Sequence, residues 1–334
     1  GLHFEDIRVL MDVINKLVDK GNTILIIEHN MDVIKLADYI IDIGPEAGTF
    51  GGNIVAEGSF NEILKTNSLT AQYLNNTKKI EVPTKRRISK YAVEVIGARE
   101  NNLKNINVTF PLNSLTVVTG VSGSGKSTLV SKILYPALQK KIGGYSEKVG
   151  QFTELKGDIN TIEHIEFINQ NPIGRSSRSN PVTYIKAYDD IRALFASEKL
   201  SKIRNYQPKH FSFNVEGGRC EVCKGDGEVT IEMQFMADVH LECEACKGER
   251  FKKEILAVKF QGKSINDILN STIDDAISFF TLNKETKIVK KLKPLQDVGL
   301  GYVTLGQSSS TLSGGEAQRI KLASFLVKGS RQSK

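Results

Sequence analysis

The sequence lacks three features that would place it in common classes of protein. None of its apolar stretches approaches the roughly 18 residues that a membrane helix needs, and Gly1 is not followed by the basic and apolar regions of a secretory signal. No cysteine lies outside the interval from Cys220 to Cys246, which excludes a scattered disulfide framework. We therefore expect a cytoplasmic protein from a reducing compartment, without a membrane partner.

The composition is that of a soluble globular protein, long enough at 334 residues for about two domains. Apolar residues make up 40% of the chain and charged residues 25%, which argues against disorder or a fibrous repeat. Lysine and arginine number 45 against 38 acidic residues, so the formal net charge is +7. This excess is a mild bias toward polyanions such as nucleic acid.

The first 77 residues predict a helix and strand followed by shorter elements. Apolar residues recur at helical spacing over residues 4 to 18, and Thr23–Ile27 has the continuous apolar run of a buried strand. Such a unit is typical of a parallel sheet. The pattern also predicts a short helix from Met31, strands at Tyr39–Ile43 and Ile54–Ala56, a turn at Gly51–Gly52, and a helix capped by Ser59 and Glu62.

A basic stretch separates this region from the next. Residues 78 to 90 contain six basic residues against the single Glu81, together with Pro83. We interpret the stretch as a linker whose charges are solvated, which is favoured over a binding patch.

A second α/β pattern starts at Tyr91 and is interrupted by an insertion at residues 150 to 264. Before the insertion the sequence predicts strands at Ala92–Ile96, Ile106–Phe110 and Leu115–Thr119, a glycine-rich turn, and a helix that closes near Pro136. After it, helical periodicity covers Ile265–Phe280 and Ile288–Val298, and a last helix follows Ser313. We expect the α/β body to close around the insertion.

The glycine-rich turn matches the complete phosphate-loop pattern directly after an apolar strand. Its glycines let backbone N–H groups surround a β-phosphate, and the following helix adds the partial positive charge of its N-terminus. We expect Lys126 to reach the phosphates of ATP and Ser127 to hold Mg²⁺. A glycine-rich turn that binds nothing is the disfavoured alternative. The predicted nucleotide-binding residues here are Gly120, Ser122, Gly123, Ser124, Gly125, Lys126, Ser127 and Thr128.

The cysteines form two CxxC pairs, each followed by Lys-Gly. Two such thiolate turns can enclose a tetrahedral Zn²⁺ with four protein ligands, which is the pattern of a structural rather than a catalytic site. Free buried cysteines are the disfavoured alternative. The predicted zinc ligands are Cys220, Cys223, Cys243 and Cys246.

The residues between and around the two pairs carry two further expectations. Ile231, Met233 and Phe235 alternate with Glu232, Gln234 and Met236, as a half-buried hairpin strand would. A basic cluster could contact phosphates, although acidic neighbours make a solvated surface an equal alternative. Its members are Lys209, His210, Arg219, Lys224, Lys247, Arg250, Lys252 and Lys253.

A Ser-Gly-Gly helix start near the other end is weak evidence alone, since a plain N-cap would explain it. Together with the phosphate loop, Leu312–Arg319 resembles the signature sequence of the ABC ATPase superfamily. The resemblance implies that Ser313, Gly314 and Gly315 present a helix N-terminus to a γ-phosphate bound by a facing subunit. Gln170, after the strand-like His164–Ile168, similarly resembles the glutamine of the Q-loop. His29, after Ile24–Ile27 and Glu28, resembles the switch histidine.

Longer phrases resemble a narrower family, the UvrA family of excinuclease components. They are Asn171–Pro181, Phe211–Asn214, Val298–Tyr302 and Leu305–Gln307, and the resemblance extends over essentially the whole chain. It implies an α/β fold, an ABC-type P-loop ATPase body with an inserted zinc-binding module.

The family is the damage sensor of bacterial nucleotide excision repair. The resemblance therefore implies an ABC-type ATPase that recognises DNA damage in an ATP-dependent way. It would use ATP, Mg²⁺ and Zn²⁺ and bind damaged double-stranded DNA. It also implies a UvrB-type helicase as partner, which belongs to the incision machinery, and a homodimer of the full-length protein.

The ends of the chain differ from the complete family pattern. An ABC site needs a strand ending in Asp-Glu, which in this family follows the signature helix, and the chain ends at Lys334 before it. Its start at Gly1-Leu2-His3 resembles the D-loop that follows such a strand. We therefore expect a fragment that binds nucleotide weakly and hydrolyses it negligibly by itself. Proteins of this family contain two ATPase halves in tandem, and Glu28–Ile34 resembles the tail of the second half more closely than that of the first. A permuted or half-length ATPase is therefore the alternative.

The fragment interpretation divides the chain into five parts. They are the tail of a first ATPase half at 1–77, the linker at 78–90, the phosphate-loop part of a second half at 91–149, the signature and zinc insertion at 150–264, and the helical region with the signature helix at 265–334.

Two rival functions share some of these motifs. The ATPase component of a membrane transporter has the phosphate loop, Q-loop and signature, but the cysteine module and the long insertion argue against it. A zinc-ribbon interaction module with vestigial ATP machinery is the second. An effect of ATP on DNA affinity would separate that module from the repair protein.

Overall fold

The computed structural model describes residues 2–144, 148–174, 176, 178–231, 233 and 239–329. Contacts between residues divide the chain into two compact units, Gly1–Phe167 and Ile168–Lys334. No helix in these described ranges has both the length and the apolar character that crossing a membrane requires.

The N-terminal unit begins with the predicted helix, α1 (Phe4–Val18), which His3 caps by accepting from the N–H of Glu5. The predicted capping box is also present, because the Ser59 N–H donates to Glu62 Oε2 at 2.8 Å at the start of the short helix α3 (Phe60–Ile63). A small core holds these shorter elements together, formed by Ile40, Ala56, Ile63, Ala71 and Leu74. The other elements of this part are α2 (Met31–Ile34), β1 (Ile40–Gly44), β2 (Asn53–Gly58), α3 (Phe60–Ile63) and α4 (Leu69–Leu74).

Residues 78 to 90 form neither a helix nor a strand. Their apolar members are as exposed as their charges, with Ile80 86% and Ile88 94% accessible. The segment is therefore exposed to solvent, and its assignment as a linker between domains stays a prediction.

The rest of the N-terminal unit is a three-stranded sheet with a helical segment packed against it. Strand β3 (Ala92–Ala98) lies between β4 (Ile106–Pro111) and β5 (Glu154–Gly157), antiparallel to both. The helix after the phosphate loop begins with wide π-type turns at Thr128–Leu134 and continues as α5 (Tyr135–Lys141). The expected end near Pro136 is therefore wrong: the proline occupies the first turn of α5, where a missing N–H is tolerated.

Two predicted strands of this unit are not strands in the structure. Thr23–Ile27 and Leu115–Thr119 form no strand, and Leu25, Ile27 and Leu115 are among the most exposed apolar residues described. Every strand pair among the described residues is antiparallel, so the parallel sheet expected here is absent from them. An apolar run forms a buried strand only when neighbouring strands flank it, and neither run has such a neighbour in the part of the chain that the structure describes.

The C-terminal unit is mainly helical around one core. The core joins Phe195, Phe211 and Phe213 of the inserted region to Phe280 and Ile320 of the helical region, all fully buried. Its helices are α6 (Pro181–Tyr184), α7 (Tyr188–Ser197), α8 (Lys199–Ile203), α9 (Lys253–Leu256), α10 (Ile265–Asn270), α11 (Ile273–Leu282), α12 (Thr286–Asp297) and α13 (Gly314–Gly329).

Two predictions for this region need correction. The periodicity over Ile265–Phe280 covers two helices, because Thr272 caps α11 by accepting from the N–H of Asp275 and so interrupts the pattern. The strand expected at His164–Ile168, at the boundary between the two units in the sequence, is not a strand in the structure.

Strands β6 (Glu228–Ile231) and β7 (Val239–Glu242) form the expected hairpin between the cysteine pairs. All of β6 is exposed rather than half-buried, and Ile231 is 46% accessible. The alternation was also expected to include residues that lie outside the described ranges, namely Glu232, Gln234, Phe235 and Met236.

Candidate functional site

The phosphate loop lies in the N-terminal unit and adopts a glycine-dependent conformation. Gly123 and Gly125 have φ of +76° and +102°, values that residues with a Cβ rarely adopt. A Cβ at Gly125 would also lie 2.8 Å from Leu103 Cδ2. The loop borders an open pocket of about 380 Å³, lined by Gly123, Gly125, Lys126, Ser127 and Thr128 of the predicted set.

Lys126 is folded onto the loop that carries it. Its Nζ donates to the carbonyl oxygens of Gly120 and Val121 at 2.8 and 2.7 Å. These are hydrogen bonds to neutral acceptors. An anionic phosphate oxygen would form a stronger, charge-assisted bond with the same ammonium group.

Two asparagines that the sequence analysis did not select complete the pocket. Asn102 Nδ2 donates to Gly123 O at 2.8 Å, and Asn101 Nδ2 donates to Thr128 Oγ1 at 3.2 Å. Both residues lie in the turn between β3 and β4. Asparagine at positive φ, as at Asn101 with +52°, signals a turn, but nothing in the local sequence relates that turn to a loop about 20 residues later.

An aspartate of α1 is also bound to the phosphate loop. Asp6 Oδ2 accepts from the Ser122 N–H at 3.0 Å and from the His3 N–H at 3.3 Å. The loop amide thus already binds a carboxylate oxygen, which agrees with its capacity for anions. Asp6 is a second contact that spacing in the sequence does not indicate.

His29 lies in the segment between Ile27 and α2, which is neither helix nor strand, and its side chain is exposed. The backbone there is held by Glu28, whose Oε2 accepts from the His29 N–H at 3.1 Å. Asn30 then caps α2 by accepting from the Asp32 N–H. The assignment of His29 as a switch histidine stays a prediction.

The four cysteines of the C-terminal unit converge on one point. All are buried, and their sulfur atoms lie within 4.8 Å of one another. Cys220 Sγ is 3.9 Å from Cys243 Sγ, and Cys223 Sγ is 3.6 Å from Cys246 Sγ. A tetrahedral metal with Zn–S bonds of about 2.3 Å requires S–S separations of about 3.8 Å, so the donor set fits such an ion.

The surroundings of the four sulfurs shift the pKa values of the thiols in different directions. Burial raises the pKa of the Cys223 and Cys246 thiols. Burial also opposes ionisation of Cys243, but hydrogen bonds from the backbone N–H groups of Cys246 and Ala245 outweigh it and lower the pKa to about 7. A cluster that stabilises a thiolate is prepared to exchange protons for a metal ion.

The basic cluster around the cysteines is partly engaged in internal contacts. Lys252 forms an ion pair with Glu221 at 2.5 Å, Arg219 Nη1 donates to Asn214 O at 3.2 Å, and Arg250 Nη1 donates to Gly306 O at 3.1 Å. Lys224 and Lys247 are exposed and follow the second cysteine of each pair in the left-handed conformation, with φ of +52° and +48°. These two lysines are therefore accessible members of the predicted phosphate-contacting set.

The signature segment begins α13 with a capping box. The Ser313 N–H donates to Glu316 Oε2 at 2.7 Å, and the Glu316 N–H donates to Ser313 Oγ at 3.2 Å. Tyr302 donates its hydroxyl to Glu316 Oε1 at 2.6 Å, while Arg319 donates to the Val298 and Gly299 carbonyls. Although burial acts in the opposite direction, the bonds from Tyr302 and Ser313 lower the pKa of Glu316.

Gln170 lies next to the signature glycines. A Cβ at Gly314 would be 3.4 Å from Gln170 Cβ. The flanking backbone is fixed by Lys321 of α13, whose Nζ donates to Asn169 Oδ1 at 2.6 Å and to Asn171 O at 2.7 Å. The structure therefore brings together the predicted Gln170, Ser313 and Gly314, and it adds Lys321 and Tyr302, which the motifs did not include.

Comparison with known proteins gives a consistent result, although no family model matches the chain. UvrABC system protein A from Clostridium acetobutylicum is 54% identical over 332 residues, which is 99% of this chain and 35% of that protein. The protein of the same name from Staphylococcus epidermidis is 52% identical over the same shares of both chains. The chain thus spans about a third of the length of these curated relatives.

The fold agrees with a solved structure titled as UvrA2 from Deinococcus radiodurans. The match has a TM-score of 0.92 at 44% identity and covers 99% of this chain and 39% of that one. Of the phrases that carried the sequence resemblance, only Arg175 and Ser177 lie outside the residues described. The expected ABC ATPase fold with a metal module is confirmed, and over nearly its whole length the chain is homologous to a segment of UvrABC system protein A.

Proposed function

We propose that this chain supplies nucleotide-binding, signature and zinc-binding parts of the DNA-damage recognition component of the nucleotide excision repair excinuclease. The observation that carries the proposal is the presence, in one chain, of a phosphate-loop pocket with Lys126 and a buried cluster of four cysteines. The homology to UvrABC system protein A supports the same conclusion.

In this function the phosphate loop binds ATP and the Ser127 hydroxyl holds Mg²⁺. Lys126 moves its hydrogen bonds from the Gly120 and Val121 carbonyls to phosphate oxygens. Ser313 and the signature glycines contact a nucleotide that is bound by a different phosphate loop. Lys126 and Ser313 of one chain therefore serve different composite sites in the full-length homodimer. Gln170 and His29 contact the nucleotide as it changes state.

The cysteine cluster holds Zn²⁺ with all four positions filled by protein, which makes the ion structural. Damaged double-stranded DNA is bound near this module, where Lys224 and Lys247 offer cations to phosphates. ATP binding changes the DNA affinity, and incision is left to partners that include a UvrB-type helicase. The protein acts in the cytoplasm.

An ATP effect on DNA binding tests the proposal. The binding of a fluorescent duplex with one bulky lesion, and of the same duplex without it, is measured with Mg²⁺ and either no nucleotide or a non-hydrolysable ATP analogue. Lys126→Ala is the test variant, and Lys132→Ala, which replaces an exposed lysine six residues later, is the matched control.

We expect tighter binding of the damaged duplex and an affinity that changes with nucleotide in the parent and in Lys132→Ala but not in Lys126→Ala. The same affinity in all nucleotide states of the parent would support the vestigial zinc-ribbon module instead.

A further inference from the structure

The segment Gly306–Ser310, which precedes the signature serine, is connected to the cysteine cluster by two arginines. We propose that Arg178 and Arg250 are positioning residues through which the metal-filled cluster holds this segment, and with it the start of the signature helix, in place. The inference rests on the proposed function for the metal and for Ser313. It adds a role for Arg178, which lies within the phrase Asn171–Pro181, and for Arg250, which was expected only as a member of the basic cluster.

Arg250 follows the second cysteine pair in the chain, and its side chain reaches the signature segment. Its carbonyl accepts from the N–H of Cys220, which belongs to the first pair, at 2.9 Å. Its guanidinium donates to Gly306 O at 3.1 Å and lies 6.0 Å from the ring centre of Phe213, which is fully buried. Its φ of +68° is costly for a residue with a Cβ and persists only where the surroundings impose it.

Arg178 makes the corresponding connection from the first cysteine pair. Its Nε and Nη2 donate to the two carboxylate oxygens of Asp226 at 3.0 and 3.4 Å, a two-point contact that fixes orientation as well as distance. The Asp226 N–H donates to Cys223 O at 3.1 Å. The next residue after Arg178 is Ser179, whose carbonyl accepts from the Ser309 N–H at 2.7 Å.

The signature segment itself is closely packed, so its position is sensitive to these contacts. The Gly306 N–H donates to Leu269 O at 2.7 Å, and a Cβ at Gly306 would lie only 3.0 Å from Leu269 Cβ. Ser309 is 4% exposed, and its hydroxyl donates toward Gly174 O and Ser176 O at 3.4 and 3.3 Å. The segment is thus held by the core on one side and by the arginines on the other.

A bound metal ion would fix the positions of Asp226 and Arg250, the residues through which both contacts reach the cysteine cluster. Asp226 follows Cys223 by three residues and Arg250 follows Cys246 by four. A tetrahedral ion bonded to all four sulfurs cross-links the two pairs and sets the relative position of these residues. Without the ion, only hydrogen bonds and packing hold the two pairs together.

Hydrogen–deuterium exchange of peptides covering residues 305 to 317 tests the proposal. The chain is loaded with one equivalent of Zn²⁺ or treated with a chelator, with no nucleotide or DNA present. The test variants are Arg178→Gln and Arg250→Gln. The control is Lys252→Gln, which removes one positive charge from an ion pair beside the same cluster, with Glu221.

In the zinc-loaded chain we expect both arginine variants to exchange about tenfold faster in this segment, as the loss of a charge-assisted hydrogen bond implies, and Lys252→Gln to match the parent. Chelation should bring the parent to the level of the variants and change the variants little. Protection of α7 reports whether the core of the unit stays folded.

Slow exchange of residues 305 to 317 in zinc-loaded Arg178→Gln and Arg250→Gln would overturn the proposal, whatever chelation does to the fold. Because neither ATP nor DNA enters the measurement, this failure would leave the test of ATP-dependent DNA binding unaffected. A failure of that binding test would likewise leave the exchange result standing.

Discussion

The two units differ in how completely they bury their apolar residues. In the C-terminal unit one continuous core joins segments from Val182 to Ala323. In the N-terminal unit the two multi-element cores contain five buried residues each, while Leu25 is 91% and Leu115 84% exposed. The C-terminal unit therefore buries its apolar segments against one another, whereas two apolar runs of the N-terminal unit remain largely exposed.

The difference also separates the two candidate sites. The cysteine cluster and the signature helix are embedded in side-chain contacts of the well-packed unit. The phosphate loop is held by a local hydrogen bond from Lys126 and by hydrogen bonds with Asn102 and Asp6, which lie farther away in the sequence. The cysteine cluster and the signature helix therefore depend on tertiary structure that the metal ion and the hydrophobic core maintain. The phosphate loop depends on a few polar contacts.

Metal removal should have the largest effect and should act on the C-terminal unit alone. We expect one Zn²⁺ per chain, and a chelator should destabilise this unit by several kcal/mol, because structural zinc sites contribute about 10–16 kcal/mol in small peptides. Acidification should also release the ion, since the thiolates must then bind protons. Metal analysis gives the zinc content, and hydrogen–deuterium exchange of each unit monitors its thermal unfolding. A metal content near zero in protein purified without chelator would contradict the site.

A pair of truncations tests the packing comparison directly. Phe195→Ala removes a fully buried ring and should lower the free energy of unfolding by about 3–5 kcal/mol. Leu25→Ala removes an exposed side chain and should change it by less than about 0.5 kcal/mol. Denaturant titration measures both. A cost above about 2 kcal/mol for Leu25→Ala would mean that Thr23–Ile27 is buried in solution, as a strand of the expected sheet would be.

Lys126→Ala should abolish most nucleotide binding without unfolding the N-terminal unit. Its ammonium contacts only loop carbonyls in the structure, and loss of a charged hydrogen bond to phosphate costs about 1.5–3 kcal/mol, or about 10- to 150-fold in affinity. Calorimetry with Mg·ATP measures the change, and Lys132→Ala serves as the control. Equal affinity in the parent and Lys126→Ala would refute the assignment of the phosphate loop.

The sequence predicted features that local chemistry determines and missed those that tertiary contacts determine. The capping box at Ser59 and the cluster formed by the CxxC pairs depend on residues close together in the chain and were found as expected. The phosphate loop is likewise local and borders a pocket, while its binding of nucleotide stays a prediction. The strand at Leu115–Thr119 was wrong because pairing needs a neighbour that periodicity does not reveal. Asn102 was missed, and Arg250 was assigned only to a basic cluster, because their partners lie 21 and 56 residues away.

Asn102→Ala should have a smaller effect on the same pocket. Removing the amide that holds Gly123 O should weaken nucleotide binding by about 1 kcal/mol, or about fivefold, the usual contribution of a neutral hydrogen bond. Asn160→Ala, at an exposed position of the same unit, is the matched control. If the two variants bind Mg·ATP equally well, the phosphate loop holds its shape without Asn102.

The smallest effect concerns the exposed lysines of the well-packed unit, where charge rather than packing is changed. If Lys224 and Lys247 contact DNA phosphates, replacing both by glutamine should reduce the log–log slope of affinity against salt by about 1.8, or about 0.9 for each contact. Lys287→Gln with Lys290→Gln removes the same charge from exposed positions of α12 and should leave the slope unchanged. Arg250 is unsuitable for this test because its guanidinium already binds Gly306 O, so its loss would alter structure and charge together. Equal slopes for the two double variants would assign Lys224 and Lys247 to the solvated surface, and the contrast between the units would then be one of packing alone.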